Sequence, residues 1–466
     1  MKAINPRTGE ADYEFAVEDV APVAARLRDA QPAWEALGPE GRADVFLRLA
    51  ERIETDGDAV VAALAIDTGR RAVARIELDG LTRSLRKWAA RGPELFAALP
   101  SAAMPSATPG IEIAPRFSAF PLFGAIAPWN FPVVLSHIDA VPALMAGCAA
   151  LVKPSEVTPR FVVPLRAILA DFPELPFAYV LGGADTGRAL IEAVDYVCFT
   201  GSTATGRKVA EAAARALIPA NLELGGKDPM IVTASADPVA AARVALRASV
   251  VATGQACQSI ERVFVARAIA DPFLAELVRA AEAVTLATGE EGHLGPFIFP
   301  AQADTVAAQI AGAVAGGARV LTGGEIERIG GGAYLRPTVL TDVTPDMAVM
   351  REETFGPVIP VTVFDDIADG IAAANAGDYG LGAAVYAGSL EDAAIVGAQL
   401  DAGAVSLQDG ALTSMVGDAT NHSRKNSGLG PSRMGDEGML RFLRQQALIR
   451  QTGTPLPLDA FAETGR

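Results

Sequence analysis

Cysteine and histidine are scarce in this 466-residue chain, with three of each. Cys148, Cys198 and Cys257 form no C-x-x-C pair and give no disulfide framework, which excludes a small disulfide-stapled fold. Three scattered histidines leave little material for an imidazole-based metal site, so none is expected. Positive charge is also short. Lys and Arg number 39 against 55 Asp and Glu, and the net charge is −16. That balance argues against nucleic acid or an anionic membrane as the main partner. Long apolar runs are missing too. The longest, "AVPALMAGCAALV" at 140–152, is broken by Pro and Gly and is too short to span a bilayer. The opening "MKAINPRTGEADYEF" has no apolar core of a signal peptide. Together these absences fit a reducing, cytoplasmic setting. Half of the residues are apolar and 20 % are charged, which suits a globular chain with cores enough for two or three domains.

Residues 17–100 alternate apolar and charged residues at helical spacing, most clearly in "ALGPEGRADVFLRLAERIE", and predict several packed helices. Residues 101–119 break the pattern with Pro and small residues, as an extended excursion or hairpin. From 120 onward the texture is strand, loop, helix. "FPLFGAIAPWNFP", "CAALVKPSE", "FAYVLGG" and "VDYVCFTGS" are short Val-, Ile- and Phe-containing runs, each followed by Gly or Pro, as parallel strands of an α/β fold are. A second series runs from about 227 to 425: "DPMIVTASA", "RVFVARAI", "ARVLTGG", "PVIPVTVFD", "LGAAVYAGS" and "GAVSLQD". The stretch "LRFLRQQALIRQTGT" adds a strand or helix to a neighbour.

Six stretches carry possible chemistry, each with a plainer reading beside it. In "TGQACQSIER", Cys257 is either a small core residue or a nucleophile. "VDYVCFTGSTATGRKVAEAAARAL" is a strand, a turn and a helix. Its helix N-terminus offers N–H groups to a phosphate, with Gly201, Ser202 and Gly206 allowing close approach; the spacing is not G-x-G-x-x-G, and an ordinary βα turn would look the same. "LVKPSE" sets Lys153 and Glu156 past a buried strand, to grip ribose hydroxyls or to pair with each other. "LELGGKDP" places Glu223 between two leucines. Apolar surroundings would raise a carboxyl group toward general-base duty, whereas an exposed loop would not. In "APWNFP", Asn130 either donates to an oxyanion or shapes a turn. In "EETFGP", Glu353 and Phe355 contact a sugar and a ring or belong to a turn.

In order and wording, "PWNFP", "KPSEVTP", "FTGSTATG", "LELGGKDP", "GQACQSIER", "EETFGP", "ANAGDYGL" and "SGLG" resemble the NAD(P)-dependent aldehyde dehydrogenase superfamily, from "INPRTGE" to about residue 450. The resemblance implies an α/β chain with a Rossmann-type cofactor domain (1–100 and 120–225), an α/β catalytic domain (226–424) and a small oligomerisation arm (101–119 and 440–455). It implies oxidation of a small-molecule aldehyde to a carboxylic acid in a homodimer or homotetramer. Cys257 matches the nucleophile that forms a thiohemiacetal and then a thioester, Asn130 the oxyanion donor, and Glu223 the base that activates water. Trp129, Lys153, Glu156, Gly201, Ser202, Glu353 and Phe355 match cofactor contacts. Glu156 favours NAD, with NADP possible beside Lys153.

The sequence departs from the family's pattern near its end. "NHSRKNSGLGPSRMGDEG" lacks a Gly pair, has Pro431, Ser432 and Arg433 where Arg-Glu is usual, and Gln408 replaces a common Asn. Arg424, Lys425 and Arg433 cluster there, and one of them is a candidate for the distal anion of a semialdehyde acid; a solvated loop or a subunit-contact ion pair is the plainer reading. Two rival functions remain, a CoA-acylating enzyme and a non-catalytic relative; retention of Glu223 and Cys257 speaks against both.

Overall fold

The structure, a computed structural model, describes residues 1–289 and 291–463. Helices Val20–Ala36, Gly38–Asp56, Asp58–Thr68 and Arg71–Ala98 account for the first stretch. Asp19 caps the first by accepting from the Ala21 N–H. Val45, Phe46, Leu49 and Ile53 recur at helical spacing on one buried face of Gly38–Asp56, which packs on Leu78, Leu81 and Leu85 of Arg71–Ala98.

Six strands form one sheet in the order Gly428–Leu429, Ala220–Glu223, Tyr196–Thr200, Leu122–Ile126, Ala149–Lys153 and Phe177–Tyr179. All neighbours are parallel except the first pair. Near-continuous apolar strands with helices between them are what a sheet covered on both faces requires. The carboxyl ends of its strands bring Lys153, Thr200 and Glu223 to one edge, where sheets of this kind bind ligands.

Seven strands form a second sheet: Arg319–Thr322, Thr338–Thr341, Val358–Phe364, Ile260–Ala266, Asp228–Val232, Gly382–Tyr386 and Ala404–Leu407. One strand of this sheet runs against its neighbour. Arg319–Thr322, the "ARVLTGG" run, lies antiparallel to Thr338–Thr341. A parallel return needs a crossover of a dozen or more residues. The connection is spent on the small hairpin Ile326–Ile329 with Gly332–Leu335, so the chain comes back in the opposite direction.

The excursion at 101–119 is a hairpin, Met104–Pro105 with Ile111–Ala119. Strand Leu443–Gln451 pairs antiparallel along Ile111–Ala119, from Leu443 opposite Ala119 to Gln451 opposite Ile111. The tail therefore adds a strand to its own chain, and that strand is the exposed edge of the sheet, with Leu448 and Ile449 at its surface. Among the described residues no helix is long and apolar enough to cross a membrane.

Candidate active site

A cleft of about 780 Å³ opens at the strand ends of the six-stranded sheet and reaches Cys257. Nine of the ten residues that the family resemblance assigns to catalysis or cofactor contact line it: Trp129, Asn130, Lys153, Glu156, Gly201, Ser202, Cys257, Glu353 and Phe355. Glu223 does not line it, although its neighbour Leu224 does.

At one end, buried Lys153 donates from Nζ to Glu156 Oε2 at 3.0 Å, so the pair is an ion pair that also faces the cleft. Ser202 caps helix Thr203–Ala216, accepting at Oγ from the Thr205 N–H. The first-turn N–H groups of Thr203 and Ala204 have no intrahelical carbonyl to bond. Gly201 gives its own N–H to the Glu223 carbonyl at 3.1 Å, so it shapes the turn and does not itself offer that donor. Gly206 is corrected outright: a Cβ there would lie 2.4 Å from Leu224 Cδ2, so it permits close packing of helix on sheet and not approach to a phosphate.

Deeper in, Trp129 meets Phe355 edge to face at 5.3 Å between ring centres. Phe355 holds φ at +53°, and its N–H and that of Thr354 both donate to the Glu261 carboxylate at 2.8 Å. Glu261 in turn accepts from Lys227 Nζ at 2.8 Å, both side chains being buried. Glu353, on the same loop, accepts from the Gly226 N–H at 3.2 Å. Burial, with the Glu261 charge behind it, pushes the Glu353 carboxyl up to about 8. An ion pair at the sheet edge, a capped helix terminus, and flat aromatic walls leading to a thiol fit a dinucleotide with its nicotinamide toward Cys257.

The loop that carries Cys257 is tied down by hydrogen bonds from several elements. Ala252, Thr253 and Gly254 are three consecutive residues at positive φ (56°, 63° and 66°), a conformation that persists in non-glycine residues only when the surroundings enforce it. Buried Arg70 donates to the Ala252 carbonyl at 2.9 Å and to the Asn130 carbonyl. Thr253 Oγ1 donates to the Gly295 carbonyl, and the Gln255 side chain is bonded at both ends, to the Pro296 carbonyl and the Ile298 N–H. At Gly254 a Cβ would lie 2.4 Å from the carbonyl carbon of Gly356. Asn130 Nδ2 donates to the Gln255 carbonyl at 3.0 Å, which leaves one of its two amide hydrogens for another acceptor. Burial, then the charges of Glu353, Asp228 and Glu223, push the Cys257 thiol up to about 12. Cys148 and Cys198 are fully buried within the apolar core.

Glu223 ends its strand, and its surroundings are polar, contrary to the apolar ones expected. Leu222 and Leu224 are buried on the opposite face, as alternation along a strand demands. The carboxylate accepts from Ser423 Oγ at 2.8 Å and stands 4.0 Å from Arg433 Nε. The expected basic cluster is also corrected. Arg424 and Lys425 both pair with Asp401 at the surface, while Arg433 is buried on Asp139 and Thr200 at 2.7 Å each. Opposite charges on separate elements pull the three apart, and none of them lines the cleft. Sequence reasoning missed Arg70, Lys227, Glu261, Ser423 and Asp139. Lys227 and Glu261 stand inside quoted motifs and Ser423 inside the atypical stretch 421–438, the only signal available; Arg70 and Asp139 are marked by nothing local.

A family model for the aldehyde dehydrogenase family matches residues 1–448. The chain is 37 % identical over 450 residues to a Mycolicibacterium smegmatis protein named "Putative succinate-semialdehyde dehydrogenase", of the NADP(+) type, spanning 95 % of this chain and 86 % of that one. It is 37 % identical over 419 residues to betaine aldehyde dehydrogenase 1 of Rhizobium meliloti, spanning 86 % and 84 % of the two. Among solved structures, that named "Putative Aldehyde Dehydrogenase PutA" from Anabaena variabilis superposes with a TM-score of 0.94 at 44 % identity, over 98 % of this chain and 99 % of that one.

Proposed function

This chain belongs to the aldehyde dehydrogenase family, an NAD(P)-dependent oxidoreductase class, and on that premise we propose that it oxidises a small aldehyde to its acid with Cys257 as nucleophile and Glu223 as hydrolytic base. The observation that carries this reading is the opening of Cys257, Asn130, Glu353 and Phe355 onto one cleft with the Lys153–Glu156 pair. As Cys257 Sγ bonds the aldehyde carbon, its proton passes to water in the cleft, and the carbonyl π pair moves onto oxygen. That oxyanion is met by the second Nδ2 hydrogen of Asn130 and the Cys257 N–H. A nicotinamide held in the cleft would supply the acceptor for the hydride that leaves carbon. Glu223 takes a proton from water as its oxygen attacks the resulting thioester; the C–S bond then breaks, and that proton passes from Glu223 to the departing sulfur, which frees the acid and the thiol. Glu353 and Phe355, fixed through Glu261 and Lys227, would hold the ring side of the dinucleotide together with Trp129. Lys153 and Glu156 would hold the ribose, and Gly201 and Ser202 would form the turn for the pyrophosphate.

Glu223→Gln tests the reading. Rapid mixing is expected to give an NADH burst of about one per site, followed by a slow steady rate. Normal turnover would remove Glu223 from the base role, and turnover restored only by CoA would favour the acylating rival.

The dinucleotide is proposed to be NAD in preference to NADP, because Glu156 welcomes a 2′-hydroxyl and repels a 2′-phosphate. The cofactor domain is proposed to comprise 1–100 and 120–225 and the catalytic domain 226–424, since the two large sheets draw nearly all their strands from these spans. The segments 101–119 and 440–455 are proposed to join subunits of a homodimer or homotetramer through the exposed strand Leu443–Gln451. Three free thiols suit a reducing cytoplasm.

A further inference from the structure

The stretch in which the sequence leaves the family's pattern lies against Glu223. Thr200 and Glu223 are partners in register on adjacent parallel strands. Arg433 crosses this strand end and donates from Nη2 to Thr200 Oγ1 and to Asp139 Oδ2, both at 2.7 Å. Asp139 is shared, because Arg441 bonds its other oxygen. Two guanidiniums on one carboxylate leave a surplus positive charge, buried and facing Glu223. The Nε of Arg433 is itself buried and has no hydrogen-bond partner among the described residues. A buried donor without a partner is costly, and Glu223 Oε1 stands 4.0 Å away. Ser423 already holds the other oxygen, Oε2, at 2.8 Å. A small rotation of the carboxylate brings Oε1 onto Arg433 Nε without breaking the arrangement behind it.

We propose that Arg433 and Ser423 form a cradle that positions the Glu223 carboxylate for the water it activates, so that Arg433 governs the rate of thioester hydrolysis. The proposal rests on Glu223 being the hydrolytic base. Arg433 acts through Glu223 and is a positioning residue. The titratable and charged groups that face Glu223 are Cys257, Cys198 and Arg433, with Asp139 and Arg441 behind Arg433. Of these, Arg433 is the cation in direct reach. The thiols are held neutral by burial at physiological pH.

The test measures burst and steady-state rates in Arg433→Met, Arg433→Lys and Glu223→Gln. Arg433→Met leaves Asp139 paired with Arg441, so no buried carboxylate is orphaned. The NADH burst should persist in Arg433→Met, while the steady-state rate falls about tenfold, since a misplaced base takes the proton of water poorly. Arg433→Lys should restore most of the rate. In a Glu223→Gln background, Arg433→Met should slow hydrolysis no further. An unchanged steady-state rate in Arg433→Met, with hydrolysis stalled in Glu223→Gln, overturns the cradle and leaves the base in place; normal turnover in Glu223→Gln overturns the base itself. If Arg433→Met fails to fold, Ser423→Ala carries the test, with an intact burst and a smaller fall in the steady-state rate expected and an unchanged rate counting against the proposal.

Discussion

Cys257 sits where a thiol does not ionise unaided. Reactive cysteines commonly stand in electropositive surroundings, whereas here burial and three carboxylates push the thiol up to about 12. The cofactor-free enzyme therefore holds a protonated thiol near neutrality. Its rate of labelling by iodoacetamide at Cys257 should climb from about pH 7 to about pH 10 without a plateau. Cys148 and Cys198 should stay unlabelled while the chain is folded. Mass spectrometry of the labelled peptides checks both statements, and Cys148 labelling first would contradict the assignment. Cys257→Ala should abolish aldehyde oxidation and leave NAD binding, followed by fluorescence titration, intact. At the other end of the cleft, Glu156→Gln should raise the ratio of kcat/KM for NADP to that for NAD by about tenfold, the removal of one charge repulsion. A ratio that does not move would take Glu156 out of cofactor choice. Asp228 offers a stability test. Its buried carboxyl is pushed up to about 8 and accepts from the Gly382 N–H. A raised carboxyl stabilises the fold below its unfolded value near 4, and that contribution is lost as pH rises toward 8. Asp228→Asn keeps the acceptor and removes the titration. Urea unfolding should therefore show a smaller loss of stability between about pH 5 and about pH 8 in the variant than in the parent protein.

At the scale of elements, the loop carrying Glu353 and Phe355 is fixed by a buried ion pair and not by regular structure. Glu261 ties two of its N–H groups to Lys227, and Thr354 Oγ1 accepts from the same ammonium. Lys227→Met would leave the Glu261 charge buried without its cation. Breaking such a pair costs about 3 to 5 kcal/mol, so denaturant unfolding should show a loss of that order, together with a raised KM for NAD. A loss well under 1 kcal/mol would mean that water replaces the ammonium. Elements of this kind also mark the limit of what the sequence discloses. The helices of 20–98 and the strands of both sheets were legible because spacing and Val- and Ile-rich runs report burial directly. The reversed direction of Arg319–Thr322 was not, since the run alone carries no sign of the strand's sense. Glu223 was legible as a residue but not in its surroundings, because flanking leucines on a strand face away from it. Arg70 and Arg433 act on partners 60 or more positions distant, Asn130 and Asp139 among them, and no local pattern encodes such a pairing.

Across the whole molecule, the free edge of the three-stranded sheet is an unfinished surface. Strand Leu443–Gln451 exposes backbone groups beside Leu448 and Ile449, which natural edges usually protect by charge, bulge or cover. If subunits meet there, Ile449→Pro should weaken the association by removing one backbone donor and disturbing the strand. Sedimentation at several concentrations should then show a shift toward monomer, while an unchanged assembly would place the subunit contact elsewhere. The close approach of Gly254 to Gly356 has a consequence of another kind. The turn before the thiol and the loop of Glu353 touch backbone to backbone, with no side chain between them to trim or enlarge. A protein engineer who reshapes either loop cannot compensate by repacking, because there is nothing there to repack. The two loops are inherited as a unit, and variation that alters catalysis gradually must enter from the cleft's outer walls.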